Sequence, residues 1–550
     1  QPMKAFGPVT GIASLFMLPH ASGRTAAVLP VGGVFGDFTF VADGLGISLS
    51  IIATVIGCLA VVFSTSYMKG EHSLGRYYSY VLFFIGGMAG LVLSSNLLLT
   101  FLFWEITALC SYALIAFHND DTKAIKGGVK ALIITSIGGV GLLLGSLILH
   151  AYTGNYDINS FLADPSVVPA NMLAVLAFGF LIAAAAKSAQ FPFQTWLPDA
   201  MEAPSPISAR IHAATMVNAG VYLLARFYPA FAGVLFWREA VMIVGTLSAL
   251  LAAIMALTAT DLKRVLAYST VSQLGYMVYA IGAGGVLASQ FHLFSHSIFK
   301  ALLFLAAGAV IHSIGTRDMN AMGGVGRKMP FVKWVFIIGG LALAGIPIFN
   351  GFWSKEMILE SGLVGGRLWL YVVMVLVAGL TALYTARCVW LVFFGEPRSV
   401  YHAHPVELAM KVPLGLLAIG AAASWLLIGG FSRLFGENSL PYHGIHAINL
   451  QEMLKEVLTV PTYVALGVIA VGILLWLLRS RLGGLVNGLK SLSWASERSF
   501  GFEAINSAVV GVTNSIAEKM RSTQTGILNW NLLGILAAVV IIFAIVVVGG

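Results

Sequence analysis

One helical segment carries three ionisable side chains inside apolar sequence, where such groups are costly and usually functional. In QFHLFSHSIFKALLF, residues 290–304, the positions His292, His296 and Lys300 follow each other at intervals of four. They therefore share one face of a helix. Histidine titrates near neutral pH and can exchange protons through both ring nitrogens, so the row predicts a proton relay. Histidines that merely pack against backbone are the alternative, and a metal site is disfavoured because no third ligand is evident.

A second set of ionisable residues surrounds an expected helix break. Lys187 ends the apolar run FGFLIAAAA, and Pro192 follows five residues later. Proline breaks a helix, and inside a membrane a break persists only where protein or water satisfies the backbone. Lys187 is therefore a candidate ion site, unless it simply extends to the membrane surface. Glu105 lies about nine residues into another apolar helix, where a buried carboxylate must be paired or protonated.

The composition predicts an all-α polytopic membrane protein. The chain has 550 residues, of which 58% are hydrophobic and 10% charged, whereas a soluble globular domain has about 25% charged residues. Apolar runs of about 20 residues predict about fifteen spans. These runs are 3–19, 45–68, 78–94, 97–117, 126–151, 170–189, 206–230, 237–259, 262–282, 287–313, 330–363, 368–394, 408–430, 462–481 and 524–548. The run at 330–363 should be two halves, interrupted at Gly345-Ile346-Pro347, and a short half-helix is expected near 194–203.

The cysteines and the charges exclude several classes of function. The three cysteines, Cys58, Cys110 and Cys388, stand singly in apolar runs, so no iron–sulfur cluster, zinc site or disulfide framework is expected. The net charge of +8 is spread over loops and predicts membrane orientation rather than nucleic-acid binding. The face richer in basic residues should be cytoplasmic. Its residues are Lys69, Arg76, Lys123, Lys263, Arg264, Arg317, Arg327, Lys328, Arg398, Arg479 and Arg481. Helix capping and topology explain the turn with Asp261, Lys263 and Arg264 adequately.

The stretch after Lys187 carries a resemblance to a known family. The motifs KSAQ, QTWLPDAM, APSP and IHAATM follow one another between residues 187 and 216. They resemble the signature of the antiporter-like membrane subunits of respiratory complex I and its relatives. Those relatives include membrane-bound hydrogenases, methanogen deazaflavin-dependent dehydrogenases and Mrp-type sodium/proton antiporters. The resemblance runs from about residue 40 to the C-terminus, and family members usually begin with one more hydrophobic helix than this sequence has.

The resemblance implies roles for individual residues. It pairs Glu105 with Lys187 as a charge-coupled switch, in which loss of the partner charge releases the lysine's proton. A static ion pair between two helices is the alternative. His212 would be a connecting relay between the helices of Lys187 and Lys300. Lys355, in PIFNGFWSKEMILESG, matches the terminal proton-exchange position, where L-type members of the family have lysine.

The resemblance also implies a domain organisation. Two helices broken at matching places suggest two five-helix repeats, 78–230 and 237–394, which the related families invert with respect to each other. N-terminal spans at 1–77 precede the repeats, and further spans at 395–481 follow them.

The segment 484–522 is too polar to span a membrane. Its apolar residues Phe502, Ile505, Val509, Val512 and Ile516 share one helical face. An amphipathic helix in the membrane interface is the simplest interpretation, and it would reach roughly 60 Å. It resembles the lateral helix of the L-type subunit, followed by a final anchor at 524–548. The alternative is an interfacial helix without partners.

The implied function is proton translocation by the distal L-type subunit of a multi-subunit, redox-driven pump in a prokaryotic plasma membrane. Its partners would be other membrane subunits, contacted partly through 484–522, and the lipid bilayer, with no nucleic acid. The chain itself would carry no cofactor or redox centre, and NADH, reduced deazaflavin, formate and hydrogen stay open as electron donors. The alternatives are an Mrp-type subunit that exchanges sodium for protons, the proton-conducting subunit of an inorganic-carbon uptake system, and a transport-inactive scaffold.

Overall fold

The computed structural model describes residue 11 and residues 14–18, 21, 25–399, 405–457, 459–481 and 490–522. These residues are mainly helical, because a membrane interior has no water to satisfy backbone groups, which must then bond within a helix. Ten of the described helices are long and apolar enough to cross a membrane. The protein is therefore a polytopic helical membrane protein. Most of the predicted run 3–19 and all of 524–548 lie outside the described residues.

A short antiparallel hairpin, absent from the sequence prediction, comes before the first long helix. Its strands are β1 (Thr25–Leu29) and β2 (Phe38–Val41). The helices of the first half are α1 (Gly44–Tyr67), α2 (Leu74–Leu93), α3 (Leu97–Ile115), α4 (Thr122–Thr153), α5 (Ile158–Ala163), α6 (Ala170–Lys187), α7 (Trp196–Asp199), α8 (Ser205–Ala213) and α9 (Asn218–Phe231).

The second half continues with helices of similar length. They are α10 (Trp237–Thr258), α11 (Leu262–Ala283), α12 (Val286–Ile314), α13 (Val325–Lys328), α14 (Pro330–Ala344), α15 (Asn350–Gly365) and α16 (Leu368–Phe393). The remaining described helices are α17 (Leu408–Ala423), α18 (Ile428–Arg433), α19 (Leu450–Val457), α20 (Val460–Leu477), α21 (Lys490–Glu497) and α22 (Phe502–Ser522).

Both predicted breaks are present. α6 ends at Lys187, and the short α7 with the 3-10 turn that follows it corresponds to the half-helix expected near 194–203. Trp196 Nε1 donates to the Ala186 carbonyl at 2.9 Å, so a carbonyl freed by the break is satisfied. In the second break α14 ends at Ala344 and α15 begins at Asn350. Gly345, between them, has φ +80°, which an L side chain rarely adopts.

The prediction of one continuous helix over 206–230 is wrong. α8 ends at Ala213 and α9 begins only at Asn218. Side chains satisfy the carbonyls that the interruption frees, since Thr215 Oγ1 donates to Arg210 O at 3.0 Å and Asn218 Nδ2 donates to Ala213 O at 2.8 Å. The run contains no glycine or proline at this place, so the sequence gave no breaker signal.

Helices α10, α11 and α12 form a tightly packed centre. A Cβ on Gly245 would lie 2.5 Å from the backbone nitrogen of Tyr279, and one on Gly275 would lie 2.6 Å from Gly245 O. Small residues therefore let α10 and α11 approach closely, as is common for helices in lipid. Every residue of α11 except Arg264 is buried, and so is most of α12. Ionisable residues on α12 are consequently shielded from lipid by protein.

The amphipathic segment begins as two helices rather than one. α21 is followed by a 3-10 turn in which Ser499 and Phe500 have φ of 50° and 54°, and α22 comes next. Taken by itself, α22 exposes Ile505, Val512 and Ile516 over more than half of their surfaces. An apolar stripe on a polar helix is therefore present, while residues 484–489 of the predicted segment are outside the described part of the chain.

Candidate functional site

Lys187 is completely buried at the C-terminal end of α6. Its Nζ donates to the carbonyl of Trp104 on α3 at 2.7 Å and lies 4.8 Å from the centroid of the Trp104 ring. The ammonium group thus has one carbonyl and one aromatic face as neighbours. Both stabilise a cation without neutralising it.

Glu105 follows Trp104 and is only partly buried. Its Oε2 accepts a hydrogen bond from Ser136 Oγ at 2.7 Å, while Oε1 has no hydrogen-bond partner among the described residues. Glu105 acts on Lys187 through its charge. The two side chains nevertheless form no ion pair in the described part of the chain, so their pairing as a switch stays a prediction.

His212 is buried in the last turn of α8, next to the unexpected break. Its ring lies 4.6 Å from the ring of Phe304 on α12. Neither ring nitrogen has a hydrogen-bond partner among the described residues. The imidazole is therefore free to accept or donate a proton, and it lies against the helix that carries Lys300.

The row on α12 is fully buried and its two histidine rings are 6.4 Å apart. His292 lies between two partners, with Nδ1 2.9 Å from Ser354 Oγ and Nε2 3.1 Å from Gln273 Oε1. His296 has no hydrogen-bond partner among the described residues. Lys300 Nζ donates to Ser269 Oγ and, at 3.3 Å, to Leu266 O.

Lys355 is buried in the first half of α15. Its Nζ donates at 2.9 Å to the carbonyl of Leu343, near the end of α14, and lies 5.5 Å from the Tyr276 ring. A cation at the C-terminus of a helix interacts favourably with the helix dipole. The neighbouring Glu356 is also buried and is hydrogen-bonded to Thr462 on α20.

The structure brings part of the predicted set together. The contact between His292 and Ser354 joins the row on α12 to α15, where Lys355 is the next residue. The Glu105 and Lys187 group forms a separate cluster, and no hydrogen bond among the described residues connects it to His212 or Lys300. Protons moving between the two clusters would therefore need water or a change in side-chain conformation.

Sequence reasoning missed the neutral polar partners of these residues. They are Ser136 beside Glu105, Ser269 beside Lys300, and Gln273 and Ser354 beside His292. A signal was available, because Ser269 and Gln273 are spaced i, i+4 and so share one face of α11.

Sequence reasoning also missed several charged groups. Arg226 forms a buried ion pair with Asp43. Arg210 is 1% exposed and donates through Nη2 to Val81 O at 2.9 Å. On the face that carries Arg317, this residue pairs with both Glu202 and Asp261. Asp261 is the N-cap of α11, as expected, and is an ion-pair partner in addition.

Potential metal ligands do not cluster in the described ranges. No group of three or more histidine, cysteine, aspartate or glutamate residues there could hold a metal ion. Cys58, Cys110 and Cys388 are free thiols. The chemistry of the described site is therefore that of side-chain acids and bases.

Two family models match the chain. One, described as the transmembrane part of NADH:quinone oxidoreductase/Mrp antiporter, matches residues 94–381. The other, described as the N-terminus of chain 5 of NADH-ubiquinone oxidoreductase (complex I), matches residues 29–78. Every predicted site residue lies within the first of these ranges.

Individual proteins give the same picture. NAD(P)H-quinone oxidoreductase chain 5 of Synechocystis sp. is 42% identical over 378 residues, which cover 66% of this chain and 55% of that protein. The F(420)H(2) dehydrogenase subunit L of Methanosarcina mazei is 37% identical over 467 residues, covering 76% of this chain and 69% of that protein. The chain thus spans about half the length of the Synechocystis relative. In the solved Mrp complex from Dietzia sp., one chain superposes with a TM-score of 0.82 at 28% identity, covering 100% of this chain and 60% of the matched one.

Proposed function

This chain belongs to the family of membrane subunits shared by NADH:quinone oxidoreductase and Mrp antiporters, and we propose that it translocates protons as one subunit of a multi-subunit, redox-driven pump. One observation carries the proposal. The buried row of His292, His296, Lys300 and Lys355 makes no ion pair within the described residues, and its hydrogen bonds go to hydroxyl, amide and carbonyl groups. Unpaired ionisable groups inside a membrane protein are costly and are characteristic of proton pathways.

The proposed path begins at Lys187. Glu105 holds a negative charge near the lysine without contacting it, so a change in the charge state of one alters the proton affinity of the other. His212 receives the proton next. Its two ring nitrogens are without partners among the described residues, which supports a role as a transient carrier.

The second part of the path runs along α12 to α15. Lys300 passes the proton to His296 and then to His292. The Ser354 hydroxyl contacts His292 and precedes Lys355 in sequence, so it supports transfer from one helix to the next. A row of hydroxyl and imidazole groups can pass protons by exchange of hydrogen bonds.

A polar pocket supports an exit beyond Lys355. Glu360 follows Glu356 by one turn of α15 and lines a cavity of about 420 Å³ together with Ser361, His443 and His446. Burial lowers the pKa of the His443 imidazole, which is therefore neutral at pH 7 and able to accept a proton. The pocket lies at the junction of α11 and α12, at the opposite end of both helices from Arg317.

The order of helices supports the proposed division of the chain. Within each of 78–230 and 237–394 the fourth membrane segment is interrupted, at the α6–α7 break and at the α14–α15 break. We assign these ranges to two inverted repeats, preceded by spans in 1–77 and followed by spans in 395–481. The segments 484–522 and 524–548 complete the scheme as lateral helix and final anchor.

The proposed partners are the other membrane subunits of the pump. The relatives are named as members of multi-subunit enzymes or complexes, and α22 exposes an apolar stripe that suits docking in the membrane interface. The chain would lie in a prokaryotic plasma membrane with the lateral helix and the basic loops on the cytoplasmic side. Redox centres would belong to the partners.

A second candidate is a subunit of a sodium/proton antiporter. The fit of the whole chain to a chain of the Dietzia Mrp complex favours it, with a TM-score of 0.82. The two functions differ in the transported ion and in the energy source. Proton movement that requires sodium and no electron donor would identify the antiporter.

The deciding experiment uses the assembled complex in membrane vesicles. Lys187→Ala and Glu105→Ala should each reduce proton pumping by about a hundredfold, because a positioned proton carrier contributes roughly that factor. The double variant should be little worse than either single one, since residues that act as a unit are non-additive. Lys126→Ala, an exposed lysine on α4, serves as the control and should pump normally.

The yield of complex separates this switch from a static ion pair. A static pair predicts that each single variant fails to assemble and that the double variant assembles again, because one unpaired buried charge is then removed. Normal yield with lost pumping supports the switch. Lost yield that the double variant restores contradicts it. Sodium-free and sodium-containing buffers, compared in the same vesicles, test the antiporter.

A further inference from the structure

A second polar pocket lies at the Arg317 end of α11 and α12. Its volume is about 470 Å³, and its lining includes Asp261, Arg264 and Tyr268 of α11 and the residue before it, together with Glu202, Arg317 and Thr260. We call it the Arg264 pocket. Charged and hydroxyl groups dominate its wall, and solvent reaches Thr260 and Arg264. A polar cavity of this size holds water.

Ion pairs hold the wall of the Arg264 pocket in place. Arg317 donates to both carboxylate oxygens of Glu202, at 3.0 and 2.9 Å, and its Nε lies 2.9 Å from Asp261. Arg264 pairs with Asp199 at 3.3 Å. Positive and negative groups are thus balanced around the opening. Neither sign of charge alone would exclude a proton from it.

Helix α21 covers part of this pocket. Ser496 lines the cavity, and its hydroxyl is hydrogen-bonded to Thr258, at the end of α10, with 2.8 Å between the oxygens. Glu497, the last residue of α21, also lines the cavity. A proton-accepting carboxylate therefore lies beside the opening.

The pocket reaches the depth of Lys300. Tyr268 is the deepest α11 residue in its lining, and Lys300 Nζ contacts the residues on either side of it, Leu266 through the carbonyl and Ser269 through the hydroxyl. At 1.5 Å per residue, Ser269 is roughly 7.5 Å further along the helix than Arg264 and about 1.5 Å beyond Tyr268. One side chain thus separates the aqueous pocket from the polar partners of the lysine.

The route from the first cluster is less complete. No hydrogen bond among the described residues links Lys187 to His212 or His212 to Lys300. The pocket, by contrast, leads to a residue adjacent to Ser269, which already contacts Lys300. Lys300 is therefore closer to solvent by way of the pocket than by any hydrogen-bonded route through Lys187.

We propose that the Arg264 pocket is a second proton inlet, which loads Lys300 directly from the aqueous face that carries Arg317. In this step a hydronium ion in the pocket gives its proton to the neutral amine of Lys300 and becomes water. The ammonium group then passes the proton to a ring nitrogen of His296 and returns to the amine. The inference rests on the proposed function, because it assumes that Lys300 carries protons. It adds a supply of protons that does not pass through Lys187.

Reversible blockage of the pocket tests this inlet. Thr260→Cys introduces a thiol into the exposed wall, and Asn320→Cys introduces a matched thiol on the same face outside the lining. The assembled complex, in vesicles with this face outward, is treated with the membrane-impermeant reagent methanethiosulfonate ethyltrimethylammonium. Mass spectrometry measures the labelled fraction, and treated wild-type complex controls for the native cysteines.

Labelled Thr260→Cys should pump at least about fivefold more slowly, whereas labelled Asn320→Cys and treated wild type should be unchanged. Release of the label by dithiothreitol should restore pumping, which excludes disassembly. The inlet is contradicted if Thr260→Cys cannot be labelled, if the labelled protein pumps normally, or if both labelled variants slow equally. Failure of the inlet alone leaves Lys187→Ala and Lys300→Ala inactive. If both of those variants pump normally, the proposed function itself has failed.

Discussion

Two acid–base couples at membrane depth are held in opposite ways. Arg226 and Asp43 form a two-point ion pair, with Nη2 3.0 Å from Oδ1 and Nη1 bonded to Oδ2, and their side chains are 6% and 3% exposed. Arg226 Nε also donates to Tyr222 at 3.1 Å. Lys187 and Glu105 act on each other by charge but bond to other groups, a backbone carbonyl and a serine hydroxyl.

The difference distinguishes a structural pair from one that can change its charge. In the Arg226 pair both charges are fixed because each satisfies the other's donors or acceptors. Lys187 can lose its proton without leaving a bonded carboxylate behind. A charged pair that must titrate is therefore expected to be close but separate. The predictions that follow test this difference.

The largest expected effect is on stability at the Arg226 pair. Asp43→Asn keeps an N-cap for α1, since asparagine also caps helices, but it removes the charge that neutralises Arg226. Leaving one buried charge unpaired costs about 3–5 kcal/mol. The yield of folded complex and its thermal midpoint should both fall.

Lys187→Met is the contrasting change, since it removes a buried charge that has no bonded counter-ion. Its yield and thermal midpoint should equal or exceed those of wild type while pumping is lost. Glu437→Gln, at an exposed position, is the neutral control. Equal stability of Asp43→Asn and wild type would remove the distinction between the two couples.

The breaks and the row on α12 could be predicted from the sequence because their signals are local. Pro192 and Pro347 stand in apolar runs, and helical spacing alone aligns His292, His296 and Lys300. The interruption between α8 and α9 has no such signal, because side-chain hydrogen bonds rather than a proline compensate it.

Pairings between distant parts of the chain could not be predicted in the same way. Asp43 and Arg226 are 183 residues apart, so neither indicates the other in sequence. Asp261 was assigned to helix capping, which is correct, but its pairing with Arg317 depends on the packing of the loops. The position of Glu105 beside Lys187 came from family resemblance, whereas its bond to Ser136 is visible only in the structure.

The separation of Glu105 from Lys187 should be sensitive to Gly139. A Cβ there would lie 2.4 Å from Glu105 Oε1, so the carboxylate must move by about 1 Å in Gly139→Ala. A displacement of that size can cost roughly a hundredfold in rate. Gly86→Ala is the matched control because no atom lies within 4 Å of its added Cβ. Proton pumping at normal complex yield is the measurement, and equal rates for both variants would show that the carboxylate position is unimportant.

Ser136→Ala should have a smaller effect on the same couple. It removes the hydroxyl that donates to Glu105 Oε2 at 2.7 Å. A hydrogen bond to a charged group contributes about 1.5 kcal/mol, so we expect about a tenfold reduction in pumping. Ser136→Thr keeps a hydroxyl and should recover most of the rate. If alanine and threonine variants behave alike, the hydroxyl does not support the charge of Glu105.

The smallest expected effect is at Ser354, which joins the row on α12 to Lys355. Its hydroxyl lies 2.9 Å from His292 Nδ1 and 3.0 Å from Asn350 O. Because a serine has one hydroxyl proton, it can donate to only one of these at a time, and it accepts from His292 while it donates to Asn350. Ser354→Ala removes this exchange of partners, and water can replace it in part. Loss of one neutral hydrogen bond of about 0.6 kcal/mol predicts roughly threefold slower pumping. Ser146→Ala is the control, because that buried hydroxyl bonds only to Leu142 O of its own helix. Slower pumping in Ser354→Ala with recovery in Ser354→Thr supports transfer through the hydroxyl, whereas equal rates in all three variants would separate the α12 row from Lys355.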